Sequence, residues 1–215
     1  MNLGVLVSGS GTNLQAILDA ASAGRLRAKV ALVVSNVATA KALDRAKAAG
    51  VPTLVVDHKA FGSREAFDAA VVEALRAHRV DVVVLAGFMR IVTSTLLDAF
   101  PHRVVNIHPA LLPAFPGVHA QRQALAYGVR VTGCTVHFVD TGTDTGPIIA
   151  QATVPVLDGD DEASLSARLL EKEHALLPEV LQWIAEGRVE VVTSAPPGRP
   201  RVRLKEAPSP ERSPR

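Results

Sequence analysis

In the first half of the chain, short runs rich in valine and leucine alternate with stretches of helical pattern. Residues 3–7, 30–34, 53–56, 81–86 and 104–107 are apolar or nearly so, which is how strands covered on both faces read. Between them, residues 13–23, 38–49 and 63–78 repeat apolar positions at helical spacing, and a shorter helical segment falls near 93–99. Strand–helix–strand alternation predicts a parallel sheet with right-handed crossovers. The runs at 131–139 and 148–156 have only a glycine-rich loop between them, so the sheet is expected to finish with antiparallel strands. Leu165, Leu169, Leu176, Val180 and Ile184 recur at helical spacing and predict one long amphipathic helix over 162–185, kinked at Pro178. The expected fold class is α/β: a Rossmann-like, doubly wound mixed sheet, mostly parallel with late antiparallel strands.

A chain of 215 residues that is 48% hydrophobic has enough apolar content for one domain of doubly wound size and a short extension. Beyond Val192 the composition changes. Residues 195–215 hold six prolines, five arginines and Lys205 against Glu206 and Glu211, a local charge of +4 without apolar periodicity. The expectation is a globular unit at 1–194 and a disordered Pro/Arg-rich tail at 195–215. Because the whole chain carries +2, the globular part is left at −2, without the basic excess that a nucleic-acid surface requires. Cys134 is the single cysteine, which excludes an intramolecular disulfide framework and a cysteine-rich zinc site. The first apolar run is too brief for a secretory segment, and no window reaches the roughly 18 apolar residues of a membrane span. The reading is a cytoplasmic protein with no membrane or nucleic-acid partner, either monomer or homodimer.

Candidate chemistry concentrates at predicted strand ends. Asn106 and His108 stand two residues apart in a segment bounded by Pro101 and Pro109, so they share one face of a strand. The carboxyl edge of an open α/β sheet is where ligands bind. The structural alternative is that both only satisfy backbone groups at the strand end. The first strand runs into Ser8-Gly9-Ser10-Gly11-Thr12-Asn13-Leu14 and a helix, a place that favours an anion. Leu14 replaces the third glycine of a dinucleotide fingerprint and no acid follows Ser35-Asn36, which disfavours NAD; a small phosphate monoester fits better. Alternatively, this is a tight turn with Ser or Thr capping the helix. Asp144, in the loop Thr141-Gly142-Thr143-Asp144-Thr145-Gly146-Pro147, either reaches His108 and favours its protonated form or closes its own turn. His119, His137 and His174 lack metal-ligand spacing, and His137 reads as a hydrogen-bonded residue of the core or one that supports the site from behind, so no metal is expected. Phe88, Met89, Ile91 and Val92 either cover an aromatic ligand or join the core.

Taken in order, Ser8 to Gln15, Asp81 to Ile91 (DVVVLAGFMRI), Asn106 to Pro113 (NIHPALLP), Phe115-Pro116-Gly117-Val118-His119, Val136 to Val139 and Glu173-His174 resemble the phosphoribosylglycinamide formyltransferase family of folate-dependent purine synthesis. The resemblance runs from Leu3 to about Val191. It implies transfer of the formyl group of 10-formyltetrahydrofolate, the co-substrate, to the amine of 5′-phosphoribosylglycinamide, without a metal. It also implies the family's Rossmann-like mixed sheet. Residue by residue, it implies a catalytic trio of Asn106, His108 and Asp144. The implied folate site is Arg64, Met89, Arg90, Ile91, Val92, Asn106, Asp140, Thr141, Gly142, Thr143 and Asp144. The implied phosphate site is Gly11, Thr12 and Asn13, with Glu173 as the ribose-side carboxylate beside Leu170, Glu171 and Lys172. In the implied reaction Asn106 donates to the formyl oxygen, protonated His108 also donates to it and moves a proton, and Asp144 keeps His108 charged.

The chain departs from the family pattern at Ala110, at Ala120-Gln121 and at Thr145, all in loops. Two relatives share the folate-binding core: formyltetrahydrofolate deformylase, in which water replaces the amine, and methionyl-tRNA formyltransferase. A first strand at Leu3 leaves no regulatory domain before it, which weighs against the deformylase, and 21 Pro/Arg-rich residues cannot build an RNA-binding barrel, which weighs against the tRNA enzyme. The deformylase remains an alternative, and a non-catalytic nucleotide-binding module is the alternative from a different class.

Overall fold

The computed structural model describes residues 1–192 and 199–206. Strands β1 (Asn2–Val7), β2 (Lys29–Ser35), β3 (Thr53–Val55), β4 (Val82–Leu85), β5 (Val104–His108), β6 (Val131–Phe138) and β7 (Ile148–Pro155) form one sheet in the order β3-β2-β1-β4-β5-β6-β7. The pairs from β3 through β5 are parallel, whereas β6 pairs antiparallel with both β5 and β7, so β6 alone runs against the rest. The chain moves outward from β1 to β3 and then returns to lay β4 on the other side of β1. That switch point opens a crevice at the carboxyl ends of β1 and β4, the place where doubly wound sheets bind ligands.

Helices cover both faces, as fully apolar strands require. One layer holds α1 (Thr12–Ser22), α2 (Lys41–Ala48) and α6 (Glu162–Ala185), with Leu14, Ile17, Leu43, Leu177 and Leu181 packed on Val5, Val33, Val84 and Val105. The other holds α3 (Arg64–Ala77) and α4 (Ser94–Ala99), with Phe67, Val71, Leu75 and Leu96 packed on Leu6, Leu32, Val83 and Val104. Helix α6 starts on a reciprocal cap, Asp161 accepting from Ser164 N–H at 2.8 Å and Ser164 Oγ from Asp161 N–H at 3.0 Å. It runs from Glu162 to Ala185 through Pro178, which gives up one donor to the preceding turn. No helix among the described residues is long and apolar enough to cross a membrane.

One α-helix and two strands were not anticipated, nor was the 3-10 turn His58–Ala60. Helix α5 (Ala120–Tyr127) occupies a stretch too short for a clear period, although Gly128, left-handed at φ +81°, marks its end. Strands β8 (Val189–Val192) and β9 (Arg201–Leu204) pair antiparallel, with Val191 opposite Val202 and Val189 opposite Leu204. The reading of 195–215 as a disordered tail is therefore corrected at Arg201–Leu204. The alternation Arg-Val-Arg-Leu there has the period of a strand, and Val202 packs with Val189 and Val191 against the main core. Residues 195–198 and 207–215 of that tail lie outside the described residues.

Candidate active site

Four polar side chains meet where β5 ends. Val105 and Ile107 belong to the α1/α6 core and Val104 to the α3/α4 core, so alternation turns Asn106 and His108 toward the α3/α4 side. The antiparallel register sets Asn106 opposite His137 and His108 opposite Thr135. Asn106 Nδ2 lies 3.3 Å from His137 Nε2, while His137 Nδ1 lies 2.9 Å from the Phe138 carbonyl. The network assigns the proton to Nδ1 and leaves Nε2 to accept from the amide. Burial pushes His137 below the ordinary histidine range against the pull of Asp144, which keeps this ring neutral and acceptor-competent.

His108, 4% exposed, has Nδ1 3.3 Å from Asp144 Oδ2 and Nε2 2.8 Å from the Phe115 carbonyl. Nε2–H donates to the Phe115 carbonyl, and Nδ1 stands at ion-pair distance from the Asp144 carboxylate. Asp144 Oδ2 also accepts from Gly117 N–H at 2.7 Å, and its Oδ1 lies 3.7 Å from His137 Nε2. Asp144 thus reaches across to His108. The turn it might have closed is closed by Asp140, whose Oδ1 accepts from Gly142 N–H at 3.0 Å and Thr145 Oγ–H at 2.7 Å. With both His108 nitrogens engaged, the second amide hydrogen of Asn106 is the donor left open in the cluster.

The loop after β5 is held from behind. Buried Thr135 donates through Oγ to the Ala110 carbonyl at 2.7 Å and accepts from Leu112 N–H at 3.0 Å. Gln151 Nε2 donates to the Leu112 carbonyl at 2.9 Å. Phe115 (φ +53°), His119 (φ +58°) and Asp144 (φ +55°) adopt left-handed backbone that non-glycine residues rarely take.

On the opposite face of the sheet lies the glycine turn. Gly11 starts α1 at φ +71°, no side chain caps that helix, and a Cβ at Gly11 would come 2.5 Å from Ala42 Cβ. Ala42 N–H donates to the Gly9 carbonyl at 3.1 Å and Arg45 Nε–H to the Ser10 carbonyl at 2.9 Å. Helix α2 therefore ties back the turn's oxygens, and the first N–H groups of α1 carry no Ser or Thr side-chain cap, the condition an anion site needs. Asn13 Nδ2 donates to Glu173 Oε2 at 2.7 Å, with both residues buried. Asn13 Oδ1 is buried without a partner, so the pair offers acceptor oxygens to hydroxyl donors. Burial raises the Glu173 carboxyl above the ordinary range, the Asn13 bond pulling the other way.

The other expected residues divide. Glu171 and Lys172 are exposed on the outer side of α6, Leu170 is half-buried, and only Glu173 of that segment is turned inward. Val92 is buried in the α3/α4 core and Phe88 stacks on Phe67 with ring centroids 6.4 Å apart, whereas Met89 and Ile91 stand 73% and 60% exposed. Arg90 is half-buried; Arg64 is exposed in the first turn of α3, and Thr141, Gly142 and Thr143 are exposed beyond Asp140. The expectations missed the partners Phe115, Gly117, Thr135 and Gln151. The first two act through backbone atoms, and the others depend on a register that spacing alone does not reveal.

An open α/β sheet carrying a buried amide–imidazole–carboxylate cluster at its carboxyl edge, with a glycine turn two strands away, is the architecture of an enzyme for small ligands. The chain belongs to the formyl transferase family, whose profile matches residues 1–181. It is 46% identical over 195 residues to a phosphoribosylglycinamide formyltransferase of Escherichia coli, covering 91% of this chain and 92% of that protein. It is 50% identical over 185 residues to a trifunctional purine biosynthetic protein of Drosophila melanogaster, covering 85% of this chain and only 14% of the length of that relative. Among solved structures, a glycinamide ribonucleotide transformylase of Symbiobacterium toebii superposes with a TM-score of 0.92 at 55% identity, covering 96% of this chain and 94% of that one.

Proposed function

We propose that the protein transfers the formyl group of 10-formyltetrahydrofolate to the amine of 5′-phosphoribosylglycinamide in de novo purine biosynthesis, releasing tetrahydrofolate. The observation that carries this reading is the meeting of Asn106, His108, His137 and Asp144 on β5 and its neighbours, next to the apolar loop after β4 and two strands from the glycine turn after β1. Gly11, Thr12 and Asn13 hold the phosphate, while Glu173 and Asn13 Oδ1 accept from ribose hydroxyls, flanked by Leu170, Glu171 and Lys172. Arg64, Met89 to Val92, Asn106 and Asp140 to Asp144 hold the folate.

In the reaction the glycyl nitrogen attacks the formyl carbon, a new C–N bond forms, and the carbonyl electron pair moves onto the formyl oxygen. The open Asn106 N–H donates to that oxygen, and His108, protonated and paired with Asp144, places positive charge beside it. Collapse breaks the bond to N10 of the folate as the proton lost by the amine arrives there. For His108 to carry that proton, the Phe115 carbonyl must release Nε2 while Asp144 holds Nδ1. The same reading makes the protein a cytoplasmic monomer or homodimer with no resident metal.

The test is incubation with 10-formyltetrahydrofolate, with and without phosphoribosylglycinamide, following both the folate product and the formylated amine. Release of folate that depends on the amine is the expected result. Equal release without the amine would make the protein a hydrolase, and no release in either case would end the reading.

A further inference from the structure

At the switch point of the sheet one side chain joins the two substrate loops. Ser8 follows β1 and opens the glycine turn, and its N–H donates across the crevice to the Gly87 carbonyl at 3.2 Å. Its hydroxyl accepts from Met89 N–H at 2.8 Å and donates to Asn36 Oδ1 at 2.6 Å. A hydroxyl has one proton, and sending it to Asn36 turns a lone pair to Met89. Asn36, 6% exposed just beyond β2, is steadied in turn by its Nδ2 at 3.3 Å from His58 Nδ1. At the far end of the same loop Asp68, 1% exposed on α3, accepts from Thr93 N–H at 2.6 Å and Thr93 Oγ–H at 2.8 Å. Residues 89–92 are thus pinned at both ends while Met89 and Ile91 stay exposed between.

We propose that Ser8 is a positioning residue that sets the Met89–Val92 loop against the glycine turn, with Asn36 orienting its hydroxyl, so that both substrate loops hold one relative position before either ligand arrives. The inference rests on reading Met89–Val92 as the folate loop. A loop released at Met89 has to be ordered by the ligand, and that cost falls on binding rather than on the chemical step.

The test is steady-state kinetics on the full chain. Ser8→Ala raises KM for the formyl-folate about 3–10-fold, the worth of one net hydrogen bond, with kcat within about twofold. Ser8→Thr, which keeps the hydroxyl, returns KM to within about twofold of wild type. Asn36→Ala raises the same KM by no more than Ser8→Ala, and the double variant matches Ser8→Ala alone because Asn36 acts through the hydroxyl. An unmoved KM in Ser8→Ala overturns the inference, as does Ser8→Thr no better than Ser8→Ala, or a double variant whose effect is the product of the singles. If Asn36→Ala does not fold, the two Ser8 variants decide. Replacing Met89 and Ile91 together with alanine separates the two readings. A folate KM unmoved by that pair refutes the folate loop itself, whereas a raised one beside a silent Ser8→Ala refutes only the role of Ser8.

Discussion

On the α1/α6 side of the sheet, the groups that face a ligand are polar, buried and fixed: Gly11 wedged against Ala42, and Asn13 bonded to Glu173. On the β4 side they are apolar and exposed: Met89 and Ile91 on a loop held only at its ends. Under the proposed function, the first arrangement keeps buried acceptors ready for a small hydroxylated anion and stores the cost of doing so in the fold. The second leaves apolar surface in water until a flat ligand covers it, so its binding energy is realised only in the complex. The chemical cluster stands with the first kind, because Asn106, His108, His137 and Asp144 are held in place by one another and by the Phe115 carbonyl, with one Asn106 hydrogen left open.

If that contrast holds, the steepest loss comes from the preset cluster. Asn106→Ala is expected to cost on the order of 10² to 10³ in kcat, about 2.7–4 kcal/mol, as for removal of one oxyanion donor. Phosphoribosylglycinamide binding should survive. Turnover within a few-fold of wild type would break the comparison at its centre. Gly11→Ala follows, at roughly 2–4 kcal/mol of stability from left-handed backbone and overpacking against Ala42. Chemical denaturation measures it, and an unchanged midpoint would show that the turn gives way.

Glu173→Gln separates function from stability. Loss of the charged acceptor should raise KM for phosphoribosylglycinamide about 10-fold or more, with the folate KM unchanged. Burial raises the Glu173 pKa, so the folded chain keeps that proton to higher pH than the unfolded chain does. Wild type therefore loses stability as pH rises from the ordinary carboxylate range through the raised value, and the glutamine variant does not. The gap in Tm in favour of Glu173→Gln should widen with pH over that window; a gap that stays flat would sink the account. The smallest effects belong to the exposed side. Met89→Ala or Ile91→Ala should each raise only the folate KM, about 3–10-fold, as expected for losing part of an apolar contact. A change in Tm as large as in the Gly11 variant would mean that these side chains are core after all.

Most of the sheet was legible because its strands are apolar on both faces and its helices keep their period. Leu165, Leu169, Leu176 and Val180 locate α6 without help from the fold. The pairing of β8 with β9 was not legible, since four residues of Arg-Val-Arg-Leu amid prolines give too little period, and Val202 gains its meaning only from Val191 across the ladder. In the site, the alternation of Asn106 and His108 could be read directly. His137 could be read as a buried, hydrogen-bonded support, but its partner could not, because being opposite Asn106 depends on the register of an antiparallel pair 31 residues away. Asp144 and Asp140 show the limit most plainly. Both sit in one glycine-rich loop, either can close a turn, and only the fold decides that Asp140 does so while Asp144 reaches His108.

The left-handed backbone around His108 has a consequence for how this protein tolerates change. Of five non-glycine residues with positive φ among those described, Phe115 and Asp144 hold the imidazole, and His119 starts α5 four residues beyond Phe115. Each such conformation costs on the order of 1–3 kcal/mol and survives only because its neighbours enforce it. Phe115 lends His108 a carbonyl, and its ring rests on Tyr127 with centroids 5.9 Å apart. Glycine at 115 relaxes the main chain and frees that carbonyl to wander. Screens that select for heat resistance will therefore be drawn to this corner, and their winners there will tend to be poorer catalysts.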